Sequence, residues 1–490
     1  MKFRSTRGAE QGINSSEAII KGIASDGGLF VPESFPKIYE NLIKSKDCTY
    51  EELAFEIIKN FFTDIDKDKL NGAINRAYNK RFKVRVRKKF LELYHGPTCA
   101  FKDAALLFLP QVMKEAKELC NINEEVVILT ATSGDTGKAA LEGFKNIEGF
   151  RVVVYYPKNG VSEIQKRQMI TQRGKNVKVI AIDGNFDNAQ NGVKSIFNDS
   201  DLKDELRKKG YLLSSANSIN IGRLIPQIVY YFYGYFNLCN KNKIKIGEEI
   251  NIVVPTGNFG NILAAFYAKQ MGLPINKFIC ASNENKVLSD FFKNGIYDRR
   301  RELILTESPS MDILISSNIE RLLYEASGRD SKEVNNLMND LTTKGVYEVN
   351  DKMKEFLEEF YGGFSTKEEV YEAIKEIFFK DNYLIDTHTA VGYSVYKKYK
   401  KETGDNTPVL IASTASPYKF PRSICNSLGI DVDFMDDFDV LKALFEQSSN
   451  KIPKCLAKLK DKKIRHDEEC TKDSMKEVLL SYLEGSEWYD

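Results

Sequence analysis

The chain has 490 residues, 42% hydrophobic and 29% charged, with 71 basic against 69 acidic side chains and a net charge of +2. That length exceeds what one core fills, so about two to three domains are expected. The balanced charge argues against nucleic acid or an anionic membrane as partner, and no apolar run is long enough to span a bilayer.

The opening stretch MKFRSTRGAEQG is basic but lacks the apolar run of a secretory signal, so a cytoplasmic protein is expected. SSEAIIKGIASDGGLFVPESFP contains a short helix and a Gly-Gly turn. TYEELAFEIIKNFF carries a capping box, Thr49 with Glu52, ahead of an apolar stripe. Residues 1–90 therefore read as a mixed, helical N-terminal region. Over 91–230 short apolar strands alternate with helices: EEVVILTA, then GDTGKAALEGF; RVVVYYP, then SEIQKRQMITQRG; then NVKVIAIDG. This alternation predicts βαβ units and a parallel sheet. It returns in 231–490 with EINIVVPTGNFGNILAAFYAKQMG, KFICASNEN and PVLIASTASPYKF. Between them, about 316–382, lies a Glu/Lys-rich helical block with a capping box at Thr366 and Glu369, which reads as an insertion. The Lys-rich tail from about 436 to 490 reads as amphipathic helix with a solvated face.

Eight cysteines, Cys48, Cys99, Cys120, Cys239, Cys280, Cys425, Cys455 and Cys470, form no CxxC pair. They read as reduced, mostly buried thiols. His95, His388 and His466 are the only histidines, so no metal site is expected.

Two glycine-bearing loops follow strands and open helices: Thr132-Ser133-Gly134-Asp135-Thr136-Gly137, and Gly257-Asn258-Phe259-Gly260-Asn261. Such loops aim peptide N–H groups and a helix N-terminus at one concavity, and so hold an anion without a basic side chain. Neither is a Walker or GxGxxG motif, since GDTGK lacks the hydroxyl residue after Lys138. Two of them suggest a cleft for two anionic ends, one from a cofactor and one from a substrate. Lys102 lies in HGPTCAFKDAALLFLPQ, at the mouth of a mostly apolar helix. A lysine there loses its proton easily and becomes a nucleophile for an aldehyde. An aldehyde with a phosphate tail, matched to a lysine and a phosphate cradle, is pyridoxal phosphate. A partner for its ring nitrogen is available in Ser413-Thr414-Ala415-Ser416, whose hydroxyls would leave that nitrogen uncharged.

FRSTRG, DGGLFVP, YHGPTCAFKD, TATSGDTGKAA, NSINIGRLIPQ, PTGNFGN, SMDILISSNIERLL, DTHTAVG and STASPYKFP occur in this order, nearly end to end. Together they resemble the threonine synthase family, in its longer microbial and fungal type. That resemblance implies a tryptophan synthase β-like α/β fold (fold type II of the pyridoxal-phosphate enzymes), with two open α/β domains. It implies a carbon–oxygen lyase that turns O-phospho-L-homoserine and water into L-threonine and phosphate, acting as a monomer. It implies that Lys102 binds the cofactor covalently and later serves as base. Gly257, Asn258, Phe259, Gly260 and Asn261 would bind the cofactor phosphate, and Thr414 would face the ring nitrogen. Ser133, Gly134, Asp135 and Thr136 would hold the amino-acid substrate, with its phosphate near Asn217, Arg223 and Lys138. His95 reads as a packed, hydrogen-bonded histidine. The chain departs from the family at Ser416, where members carry His, and at Cys99, where they often carry Leu; Cys99 reads as a packing residue. No N-terminal effector domain is expected. The same lysine and loop would serve a serine/threonine dehydratase or a phospho-lyase that yields a 2-oxo acid. Readings from other classes are a silent metabolite-binding homologue and a nucleotide-binding enzyme.

Overall fold

A computed structural model describes residues 1–448 and 450–485, so the end of the expected helical tail, 486–490, lies outside the described residues. The strands are, in order, β1 (Phe3–Ser5), β2 (Phe30–Pro32), β3 (Lys83–Arg87), β4 (Phe90–His95), β5 (Glu125–Ala131), β6 (Phe150–Pro157), β7 (Val177–Asp183) and β8 (Tyr211–Ser214). They continue with β9 (Ile250–Pro255), β10 (Ile275–Ser282), β11 (Ile296–Asp298), β12 (Val346–Glu348), β13 (Phe360–Phe364), β14 (Val409–Ser413) and β15 (Glu469–Thr471).

These strands build two main sheets, with orders β13-β10-β9-β14-β4-β3 and β15-β7-β6-β5-β8. Every pairing in them is parallel except β3 with β4. The apolar runs explain this. β6 and β9 are buried at every residue, as strands covered by helices on both faces must be. Two short antiparallel pairs, β1 with β2 and β11 with β12, lie outside the main sheets.

The expected strands all form, and both capping boxes, at Thr49 and Thr366, are present. The sheets cross the expected segment boundaries, however. β3 and β4 precede the segment that carries β5 to β8, yet join the sheet of the later strands. The block over 316–382 is not purely helical: β13, FYGGF, forms the edge of the larger sheet. The tail is also mixed, because β15 pairs with β7 and so returns the chain to the smaller sheet. No described helix is long and apolar enough to cross a membrane. The expectation of eight reduced thiols is corrected: Cys99 and Cys455 are paired as a disulfide across a separation of 356 residues.

The short helix after Lys102, Asp103–Leu106, packs against the helix Asp135–Phe144 of the smaller sheet. Glycine makes that approach possible. A Cβ on Gly143 would stand 1.9 Å from the backbone oxygen of Leu106. Gly143→Ala should force the two backbones apart and cost about 2–3 kcal/mol in urea unfolding. An unchanged midpoint would show that the helices separate freely.

Candidate active site

The carboxyl ends of β4, β5, β9 and β14 each lead directly into one of the loops singled out from the sequence. In open α/β sheets such ends line the ligand crevice. The Lys102 loop is stitched to the Thr414 loop by backbone hydrogen bonds. Phe101 N–H donates to Thr414 O at 2.8 Å, and Ser416 N–H donates to Cys99 O at 3.0 Å. Just before Lys102, Thr98 donates from its backbone and hydroxyl to Asp103 at 2.9 and 2.7 Å, which closes the turn.

The Lys102 side chain is 12% exposed. Its Nζ donates to Ser310 Oγ at 3.3 Å and stands 3.9 Å from Asp135 Oδ2. Burial pushes the amine down to about 8, with Asp135 pulling it back and Lys419 and Arg223 adding to the fall. The amine therefore gives up its proton more readily than a free lysine, and the neutral form that a nucleophile or base requires grows as the pH approaches 8. The loop at Gly257 is close by. A Cβ on Gly257 would meet the carbonyl oxygen of Ser310, the residue Lys102 touches, at 2.6 Å.

That loop is anchored from outside and open within. Ser316 Oγ donates to Gly257 O at 2.6 Å, and Asn318 Nδ2 donates to Asn258 O at 2.8 Å. Phe259 takes a left-handed backbone, φ +61°, which turns the chain into the helix Gly260–Gln270. Among the described residues, no acceptor meets the peptide N–H groups of Gly257 to Asn261, and the buried Asn261 Nδ2 has no partner. Free donors at a helix N-terminus suit a phosphate. Asn318 is held in turn by Arg321, whose side chain is fully buried. Arg321 donates to Asn318 Oδ1 at 2.5 Å, Ile219 O at 2.6 Å and Phe30 O at 2.9 Å. Burial pushes its guanidinium down to about 10.

The loop after β5 is built differently. Thr132 Oγ1 accepts from the backbone of Gly134 and Gly137, and a Cβ on Gly134 would overlap the Gln165 side chain at 2.5 Å. Gln165 closes a capping box with Ser162 and donates to Asp135 Oδ1 at 2.8 Å. Burial opposes ionisation of Asp135, but Lys419 and Lys102 overcome it and hold its carboxyl well below the usual range. Ser133 and Thr136 flank it. Arg223, at the start of the helix Ile221–Asn240, is buried, donates to Ala216 O at 2.7 Å, and leaves Nε unpartnered. Burial pushes it down to about 10.

Two further expected residues have other surroundings. Lys138 pairs with Gln172 and lies 3.7 Å from Glu142, and burial pushes its amine down to about 8 while Glu142 pulls it back. Asn217 is exposed and its side chain makes no hydrogen bond among the described residues. Thr414 is buried, and among the described residues its hydroxyl makes no hydrogen bond. His95 bonds Glu92 at 2.6 Å, as a packed histidine should. Residues not singled out from the sequence also meet here. They are Ser310, Gln165, Lys419, and His388, whose Nε2 accepts from Ser310 N–H at 3.3 Å while Nδ1 faces Asp386. Ser310, Lys419 and His388 lie in SMDILISSNIERLL, STASPYKFP and DTHTAVG, blocks that carry the family resemblance, whereas Gln165 lies in none of them. What gave no signal was which of their side chains are buried.

Family models match the chain as Threonine synthase N terminus over residues 2–78, Pyridoxal-phosphate dependent enzyme over 78–414, and Threonine synthase, C-terminal, over 389–478. The threonine synthase of Saccharomyces cerevisiae is 36% identical, covering 90% of this chain and 91% of that protein. Human threonine synthase-like 1 is 41% identical over 85% of this chain, which spans 58% of that relative's length. Among solved structures, the pyridoxal-phosphate-bound threonine synthase of Brucella melitensis aligns with a TM-score of 0.86 at 34% identity, covering 99% of this chain and 98% of that one. The chain belongs to the threonine synthase family of pyridoxal-phosphate dependent enzymes.

Proposed function

We propose that this chain converts O-phospho-L-homoserine and water to L-threonine and phosphate. The observation that carries the reading is the buried, easily deprotonated Lys102 amine beside a cradle of free peptide N–H groups. Bound pyridoxal phosphate supplies an electron sink for a carbanion next to the substrate amino group. Gly257 to Asn261 would hold its phosphate through the backbone, Lys102 would take its aldehyde, and the Thr414 hydroxyl would be the partner for its ring nitrogen.

The Lys102 amine, when free, would take the proton from the substrate Cα. Ser310, within hydrogen-bond reach of Nζ, steadies the amine between these roles. Ser133, Gly134, Asp135 and Thr136 orient the amino acid. The unpartnered Nε of Arg223 binds the substrate phosphate, which has to leave before water adds at Cβ. The two sheets act as lobes that close on the substrate and control water.

Lys102→Ala should abolish covalent cofactor uptake, read as the loss of the visible absorbance band. It should also lower phosphate release from O-phosphohomoserine by roughly a thousandfold or more. Full activity in that variant ends the reading. Gly257→Ala should weaken pyridoxal phosphate affinity by roughly tenfold or more, since a misfit worth about 1.4 kcal/mol does so, as measured by fluorescence titration. Product analysis separates the reading from its nearest rival. Threonine accompanies phosphate in a synthase, whereas 2-oxobutyrate accompanies it in a phospho-lyase. The assay matters because relatives carry both names, threonine synthase and threonine synthase-like 1.

A further inference from the structure

Asp135 divides its two oxygens between two lysines. Oδ1 pairs with Lys419 Nζ at 2.5 Å, and Oδ2 faces Lys102 Nζ at 3.9 Å. The Lys419 side chain has no exposed surface, and its second contact is the Thr98 carbonyl at 3.2 Å, in the turn that leads to Lys102. No step outlined above uses Lys419. A fully buried ammonium is costly to desolvate, and an apolar side chain of similar volume would fill the space more cheaply.

We infer that Lys419 is a positioning residue for Lys102, fixing Asp135 with Oδ2 toward that amine and setting, through that carboxylate, how readily the amine gives up its proton. The inference rests on reading Lys102 as the amine that takes the cofactor.

The charged groups around the amine come from three elements. Asp135 begins the helix Asp135–Phe144, Lys419 ends the turn Pro417–Lys419, and Arg223 lies in the helix Ile221–Asn240. Burial lowers the amine's proton affinity, Asp135 raises it, and Lys419 and Arg223 lower it. Around Lys419 itself lie Asp135 and Asp103, and Lys138 feels its charge as well. Burial pushes the Asp103 carboxyl up to about 7, against two hydrogen bonds from Thr98. Asp135 is thus the anion that Lys419 holds most closely. Removing the charge of Lys419 has two effects with one sign. A like charge near Lys102 disappears, and the whole of the Asp135 charge becomes available to Lys102. Both favour the protonated amine.

The test uses the full chain freed of cofactor and follows the rate of pyridoxal phosphate uptake by absorbance across neutral and alkaline pH. For the wild type, the rate should rise with a midpoint near 8. In Lys419→Met the midpoint should move up by about one pH unit, slowing uptake at neutral pH by roughly tenfold. Lys419→Arg keeps the charge and should keep the wild-type midpoint. Should the Met variant not fold, Lys419→Gln, which retains a donor for the Thr98 carbonyl but no charge, should show the same rise. A purely structural lysine would change stability or amplitude and leave the midpoint where it was, which overturns the inference. Uptake that persists in Lys102→Ala instead overturns the reading of Lys102 itself, so the two failures are distinct.

Discussion

The site depends on keeping one amine out of water at the seam between two sheets. Lys102 follows β4, a strand of the larger sheet, yet the short helix it opens packs against a helix of the smaller one. The lysine is therefore held by both halves of the molecule at once. Its loop is pinned on one side by the backbone of Thr414 and Ser416, and on the other by the close approach allowed at Gly143. Burial does the chemical part: an amine with little solvent around it pays for its charge and sheds it near pH 8, well below the range of a free lysine.

The surroundings follow from that choice. A phosphate gripped by lysines would bring positive charge toward the reactive amine. Peptide N–H groups bind the anion through partial charges, and leave the formal charges to be placed where they tune the amine. Three cations, Lys102 when protonated, Lys419 and Arg223, are balanced nearby by Asp135.

Much of this was legible in the sequence because it rests on local chemistry. The apolar runs of β5, β6 and β9 announce buried parallel strands, and the glycines at 134 and 257 mark loops where a side chain has no room. Sheet membership was not legible, because parallel order depends on crossovers rather than on neighbours in the chain. β13 is hidden by its two glycines amid Glu/Lys-rich helices, and β15 has only three residues. Lys419 was visible as a lysine flanked by Tyr418 and Phe420, but its partner Asp135 lies in the other half of the fold. The pairing of Cys99 with Cys455 is likewise a long-range fact. Lys138 was conspicuous as a lysine in a glycine loop, but its partners Gln172 and Glu142 were not legible there.

Arg321 links the phosphate loop to the chain's opening strands, since one guanidinium holds Asn318, which holds Asn258, and also the carbonyl of Phe30 in β2. Arg7 and Thr6 reinforce the joint from the same end through Glu320. The amino-terminal strand pair and the loop at Asn258 are thus braced by one buried side chain, so that loosening either is felt by the other.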